Sequence, residues 1–235
     1  MKLSMRVVFS LTALYLALSA LAFAGDDAHL YIVHGIPGRD VSASLDPTLP
    51  VDVLLNDDVC TERGIAFGAV VGPLTLPAGQ YDLKISPANP LVPCSNSPLV
   101  DSNVTLKTGQ NLSAVAALDD KGQPTVFTFE NNFASVAVGK TRIILTNAAD
   151  APVLQVILEV VGSNQKYTYN VDPGKTVVAT LPADPYTIQV ESNGTVLIPS
   201  QPLTLPSVSA TLVYTTGLAS NGSLTLVTKI VKDVI

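Results

Sequence analysis

Along most of the chain, apolar and polar residues alternate with a period of two, in short runs broken by Pro, Gly, Asn and Asp. That pattern predicts β-strands with one buried face. Its clearest instance occurs twice. Residues 74–85 read LTLPAGQYDLKI, and residues 179–190, 105 positions later, read ATLPADPYTIQV. After the first Leu-Pro-Ala turn, Tyr81, Leu83 and Ile85 share one face, with Asp82 and Lys84 on the other. After the second, Tyr186, Ile188 and Val190 alternate with Thr187 and Gln189. Pro77 and Pro182 each end a strand, because the ring fixes φ and removes a donor. Gly79 and Asp184 then suit a turn residue at positive φ.

The same reading gives strands over residues 29–34, 51–56, 66–76, the Tyr81 run, 100–107, 112–118 and 124–130. The 66–76 strand is expected to bend near Gly68 or Gly72. A second series follows at 142–146, 153–159, 167–181, the Tyr186 run, 203–205, 210–215 and 223–231. Val51, Val53 and Leu55 recur as Leu154, Val156 and Leu158, and Val104-Thr105-Leu106 recurs as Leu203-Thr204-Leu205. Asn193-Gly194 and Asn221-Gly222 are hairpin signals. Seven short strands in about 100 residues suit an immunoglobulin-like sandwich. The expectation is therefore an all-β protein of two tandem seven-stranded immunoglobulin-like antiparallel sandwiches, at residues 25–136 and 137–235, after a signal peptide at 1–24. The linker is short, so the two should touch. One large sandwich with shared sheets is the alternative.

Composition refines this. Lys2 and Arg6 precede an apolar run over residues 7–24 that ends in Ala22-Phe23-Ala24, a small-x-small cleavage site. This is the pattern of a secretory signal peptide, with an uncleaved anchor as alternative. The chain is exported on this reading, to the periplasm, cell surface or medium. Charged residues are 14%, against roughly 25% in average soluble proteins. The formal net charge is −6, and more negative once Lys2 and Arg6 are removed. That argues against nucleic acid and anionic membrane surfaces. So little charge suggests that some surface is covered, by the other domain or by a partner. A protein partner or self-assembly suits such a surface, and the mature chain carries no membrane span.

Residues 30–37, LYIVHGIP, then Val51-Asp52-Val53, Phe67-Gly68 and Leu76-Pro77-Ala78-Gly79-Gln80-Tyr81 carry a family resemblance. They resemble the secreted bacterial domain of unknown function numbered 4397, in two tandem copies. The resemblance implies a hallmark Val-His-Ala-Ser-Pro-Asp-Ala-Pro run. Here Gly35-Ile36-Pro37-Gly38 replaces its middle and an insertion precedes Val51. The second copy, at Asn147-Ala148-Ala149-Asp150-Ala151-Pro152, keeps only Asp-Ala-Pro. The resemblance speaks to fold and is silent on activity.

The candidate chemistry is sparse. In an exported chain, Cys60 and Cys94 are expected to form a disulfide, two buried free thiols being the alternative. Tyr81 to Val104 spans 23 residues where Tyr186 to Leu203 spans 17, and Cys94 lies in that excess, so the bridge would pin a longer loop. No nucleophile elbow, zinc-protease, phosphate-loop or Cys-x-x-Cys motif is present. No catalytic, cofactor-binding or metal residue is named, and no cofactor is expected. His29 and His34, five apart, fall on opposite strand faces, and His34 is expected to hydrogen-bond its own loop. Asp26, Asp27, Asp57 and Asp58 read as turn acids rather than a calcium site. Asn103, Asn111, Asn193 and Asn221 open glycosylation sequons, but Asn also serves as a turn residue. Three functions stay open: a non-catalytic secreted or cell-surface structural or interaction module, a small-ligand or glycan binder using loop 36–50, and a hydrolase with an unrecognised site. The first is preferred.

Overall fold

A computed structural model describes residues 26–232; the expected signal peptide lies outside the described residues. The described residues form sixteen strands. The first eight are β1 (Ala28–His34), β2 (Val51–Leu55), β3 (Val59–Ile65), β4 (Val70–Leu76), β5 (Gly79–Pro87), β6 (Val100–Leu106), β7 (Asn111–Leu118) and β8 (Pro124–Glu130). The next are β9 (Lys140–Asn147), β10 (Leu154–Val160), β11 (Lys166–Val171), β12 (Thr176–Pro182), β13 (Pro185–Ser192), β14 (Thr195–Thr204), β15 (Ser209–Thr216) and β16 (Thr225–Lys232). A four-residue helix, α1 (Gly38–Val41), and a 3-10 turn at Ala219–Asn221 are the only helices among the described residues.

The strands form four sheets of four, in the orders β4-β1-β7-β8, β3-β2-β5-β6, β12-β9-β15-β16 and β11-β10-β13-β14. Adding eight to each strand number of the first two sheets gives the last two. Among the described residues no sheet mixes strands from before and after residue 135, which is not the pattern of one large sandwich with shared sheets. The pairings of β1 with β7 and of β9 with β15 are parallel. This order differs from an immunoglobulin constant domain, where the first two strands are neighbours in one sheet; here β1 and β2 lie in opposite sheets.

Each half has eight strands where seven were expected, for a different reason in each half. The bent strand expected at 66–76 is preceded by a separate strand, β3, and the run 167–181 is two strands, β11 and β12. Gly68 (φ +84°) and Gly174 (φ +65°) sit in the turns that break them. The change of direction is sharp enough to carry the chain into the opposite sheet, which ends the pairing. The Leu-Pro-Ala turn is also a step between sheets, from β4 to β5 and from β12 to β13. Neither Gly79 nor Asp184 has positive φ, because a step of this kind needs no tight hairpin geometry. The tyrosine that follows explains why the motif recurs. Tyr81 donates its hydroxyl to the Pro77 carbonyl at 2.8 Å, and Tyr186 donates to Pro182 at 3.0 Å.

Three apolar cores result. One lies between the first two sheets and contains Leu30, Val53, Leu83, Ile85 and Val104. Its counterpart between the last two sheets contains Ile143, Val156, Tyr186, Ile188 and Val190. The third joins the halves: Tyr31, Val33, Val115 and Ala117 pack with Ile144, Leu212, Tyr214 and Val227. Strands β1, β7, β9 and β15 are therefore buried on both faces. The covered surface that the low charge suggested is this contact. Polar groups cross it too: Ser113 and Tyr214 share a hydroxyl–hydroxyl hydrogen bond of 2.5 Å. Gly35 lies close against the second half, where an added Cβ would sit 2.5 Å from the Thr216 side chain.

Candidate functional site

Two loops of the first half have no counterpart of similar length in the second. Residues 35–50 join β1 to β2, whereas 148–153 suffice between β9 and β10. Residues 88–99 join β5 to β6, whereas Asn193-Gly194 makes the equivalent turn with both residues at positive φ. The two long loops face each other across a cleft of about 660 Å3. Leu45, Asp46, Leu49 and Pro50 form one wall, and Pro87, Ala88, Asn89, Pro90 and Pro93 the other. Asp52, Arg63 and Gly64 complete the lining. The corresponding place in the second half, beside Gln155, Asn170 and Asn193, is a polar depression of about 270 Å3.

Each wall is held by a buried polar side chain. His34 is 1% exposed, and its Nε2 lies 2.7 Å from the Leu49 carbonyl, so Nε2 carries the proton and donates. Burial lowers the His34 pKa, against the opposing pull of that hydrogen bond. This is the loop contact expected for His34. Asp52 alternates with Val51 and Val53 and so points away from the core, yet it is 2% exposed. Its carboxylate accepts backbone N–H groups from Gly64 (2.9 Å), Asn89 (3.0 Å) and Cys94 (2.9 Å). Burial alone would raise its pKa, but those three donors, from Cys94, Asn89 and Gly64, with the charge of Arg63, hold it below the usual carboxylate value.

Cys60 on β3 and Cys94 in loop 88–99 are joined as a disulfide, with Cα atoms 5.9 Å apart. Cys94 takes φ +61°, a conformation a non-glycine residue adopts only when its surroundings enforce it; the bridge and Asp52 supply that constraint. The loop is laced further by Asn89, whose Oδ1 accepts the N–H groups of Leu91 and Val92 at 3.0 and 3.1 Å. The Ala88 N–H donates to the Pro50 carbonyl at 2.7 Å and ties wall to wall. Leu91 and Val92 remain exposed at the crest, at 90% and 60%. The second half braces the other wall. Asp40, in α1, accepts hydrogen bonds from Asn221 Nδ2 at 2.9 Å and from Ser223 Oγ.

The remaining sequence candidates fall elsewhere. His29 approaches Thr75 Oγ1 at 3.3 Å, and Asp57 pairs with Lys84 at 2.5 Å. Among the described residues no three His, Cys, Asp or Glu side chains gather as a metal site, and no helix is long and apolar enough to cross a membrane. Sequence reasoning missed Asp52, because strand alternation placed it on the solvent face. The only available signal was the proline-rich insertion long enough to cover it.

A family model described as Domain of unknown function (DUF4397) matches residues 28–157, from β1 into β10. The chain belongs to this family. The DUF4397 match includes both cleft walls, and the family's description assigns no biochemical role. No curated protein matches the chain. Among solved structures, the Bacillus anthracis TIE protein is similar at 11% identity and TM-score 0.27, over 82% of this chain and 33% of that one. A candidate cell adhesion protein from Bacteroides ovatus is similar at 12% identity and TM-score 0.29, over 89% of this chain and 98% of that one. Another from Bacteroides uniformis is similar at 11% and 0.28, over 88% and 99%.

Proposed function

We propose that this DUF4397 protein is an exported, non-catalytic interaction module of two tandem sandwich domains, 25–136 and 137–235, whose first domain carries the recognition site and whose second supports it. The observation that carries the reading is the cleft. Its walls are the two insertions by which the first half exceeds the second, and a disulfide and a buried carboxylate fix one of them. A volume near 660 Å3 lies within the range of about 300–1,000 Å3 typical of small-molecule sites. The lining contains no Ser, Cys or His, which weighs against the hydrolase reading. It also contains no aromatic side chain, which weighs against glycan stacking. The disulfide and the apolar run at 7–24 support export.

The test is a neutral apolar dye, N-phenyl-1-naphthylamine, titrated into the intact protein. Saturable fluorescence enhancement is expected. Ala88→Trp, which fills the cleft, should abolish it while Val138→Trp, at an exposed position outside the lining, leaves it unchanged. Equal binding by all three proteins would refute the cleft as recognition site.

A further inference from the structure

The cleft's polar groups differ in how far they are already occupied. The Asp52 carboxylate is filled by three N–H donors. Asp46 is filled by the Thr48 N–H and hydroxyl, at 2.8 and 2.7 Å, and has Arg39 nearby as counter-charge. Arg63 is different. It is exposed at the mouth, and its guanidinium makes no hydrogen bond or ion pair with any described residue. Five N–H donors in a planar fork therefore stand unfilled beside an aliphatic cavity.

From this juxtaposition we propose that the cleft binds a small aliphatic carboxylate, its hydrocarbon body between the Leu49 and Pro90 walls and its head group on Arg63. The proposal rests on the cleft being the recognition site. A carboxylate accepts the guanidinium fork in a bidentate manner that an alcohol or amide cannot match. The two cleft carboxylates stay ionised and oppose an anion, but Arg39 beside Asp46 and Arg63 beside Asp52 offset their charge. The carboxyl terminus of a peptide would offer the same head group but would need a strand edge to pair with. The adjacent edge strand, β3, is poorly suited to that. Its register with β2 shifts twice, and Gly64 sits at φ +60°, which bends the ladder an incoming strand would extend.

The test is displacement of N-phenyl-1-naphthylamine from the intact protein by octanoate, octanol, octylamine and the free acid of acetyl-trileucine, repeated with Arg63→Gln. Octanoate is expected to displace the dye at a concentration roughly tenfold or more below octanol, in keeping with a charge-assisted hydrogen bond. Arg63→Gln should bring the two close together while octanol is unaffected. Octanol or octylamine matching octanoate, or an octanoate preference that survives Arg63→Gln, overturns the carboxylate assignment and leaves the cleft itself intact. Acetyl-trileucine outcompeting octanoate overturns the free acid as occupant. Failure of the dye to bind at all refutes the cleft, and this inference with it.

Discussion

His34 and Asp52 each hold one wall of the cleft by pairing with backbone, and both do so in a single protonation state. The folded-state pKa of His34 is depressed, so the neutral ring is favoured in the folded protein. Its contribution is complete above the unfolded value of about 6.5 and is lost as pH falls through the folded value. Asp52 is depressed as well. Its contribution is complete above about 3.9 and is lost below that, as the carboxyl protonates in the folded state. Stability measured by urea unfolding should therefore fall in two stages from pH 8 to pH 3. His34→Gln should erase the upper stage and Asp52→Asn the lower, and profiles parallel to the wild type would contradict these assignments. At pH 7, Asp52→Ala should cost about 2–4 kcal/mol, because three N–H groups lose their acceptor. His34's loop contact was legible, since the histidine directly precedes the loop it holds. Asp52's role was not, because what covers it is 37 to 42 residues distant in sequence.

In the strands that follow the Leu-Pro-Ala turns, sequence and structure agree closely. Leu83 and Ile188 are 0% and 1% exposed, as the alternation requires. Truncation of either to Ala should cost about 2–5 kcal/mol, measured by chemical unfolding, and the two losses should be similar because the positions are equivalent. A loss below about 1 kcal/mol at either would mean that the register is misread. Tyr186 is buried and Tyr81 only partly so, but both make the same bond to the preceding proline. What alternation could not reveal was β3. Its Thr61, Glu62 and Arg63 offer no apolar face, and Asp57-Asp58 reads as loop. The available clue was Asn56-Asp57, both at positive φ, which are residue types suited to a hairpin of that kind. β11 and β12 were hidden differently: the run 167–181 reads as one strand, and Asp172-Pro173-Gly174 breaks it in two.

At the scale of the whole molecule, the inner sheets of the two halves share a core of their own, which cannot be seen in local pattern. Strands β7 and β15 mix apolar residues with small Ser or Thr; nothing in them says that the second covering layer belongs to the other half. The two halves are expected to unfold together, as one transition in scanning calorimetry. Val115→Asp, which buries a charge in the shared core, should lower that single transition sharply. Two resolved transitions in the wild type, with only one moved by the substitution, would show that the halves are energetically independent. Burial on both faces has a further consequence for the order in which the protein opens. Amide protons of β1, β7, β9 and β15 have protein above and below them and paired neighbours on both sides, so only global opening exposes them. The outer sheets can open locally. Deuterium should therefore enter from the outside inward, reaching the cleft loops first and the middle of the molecule last.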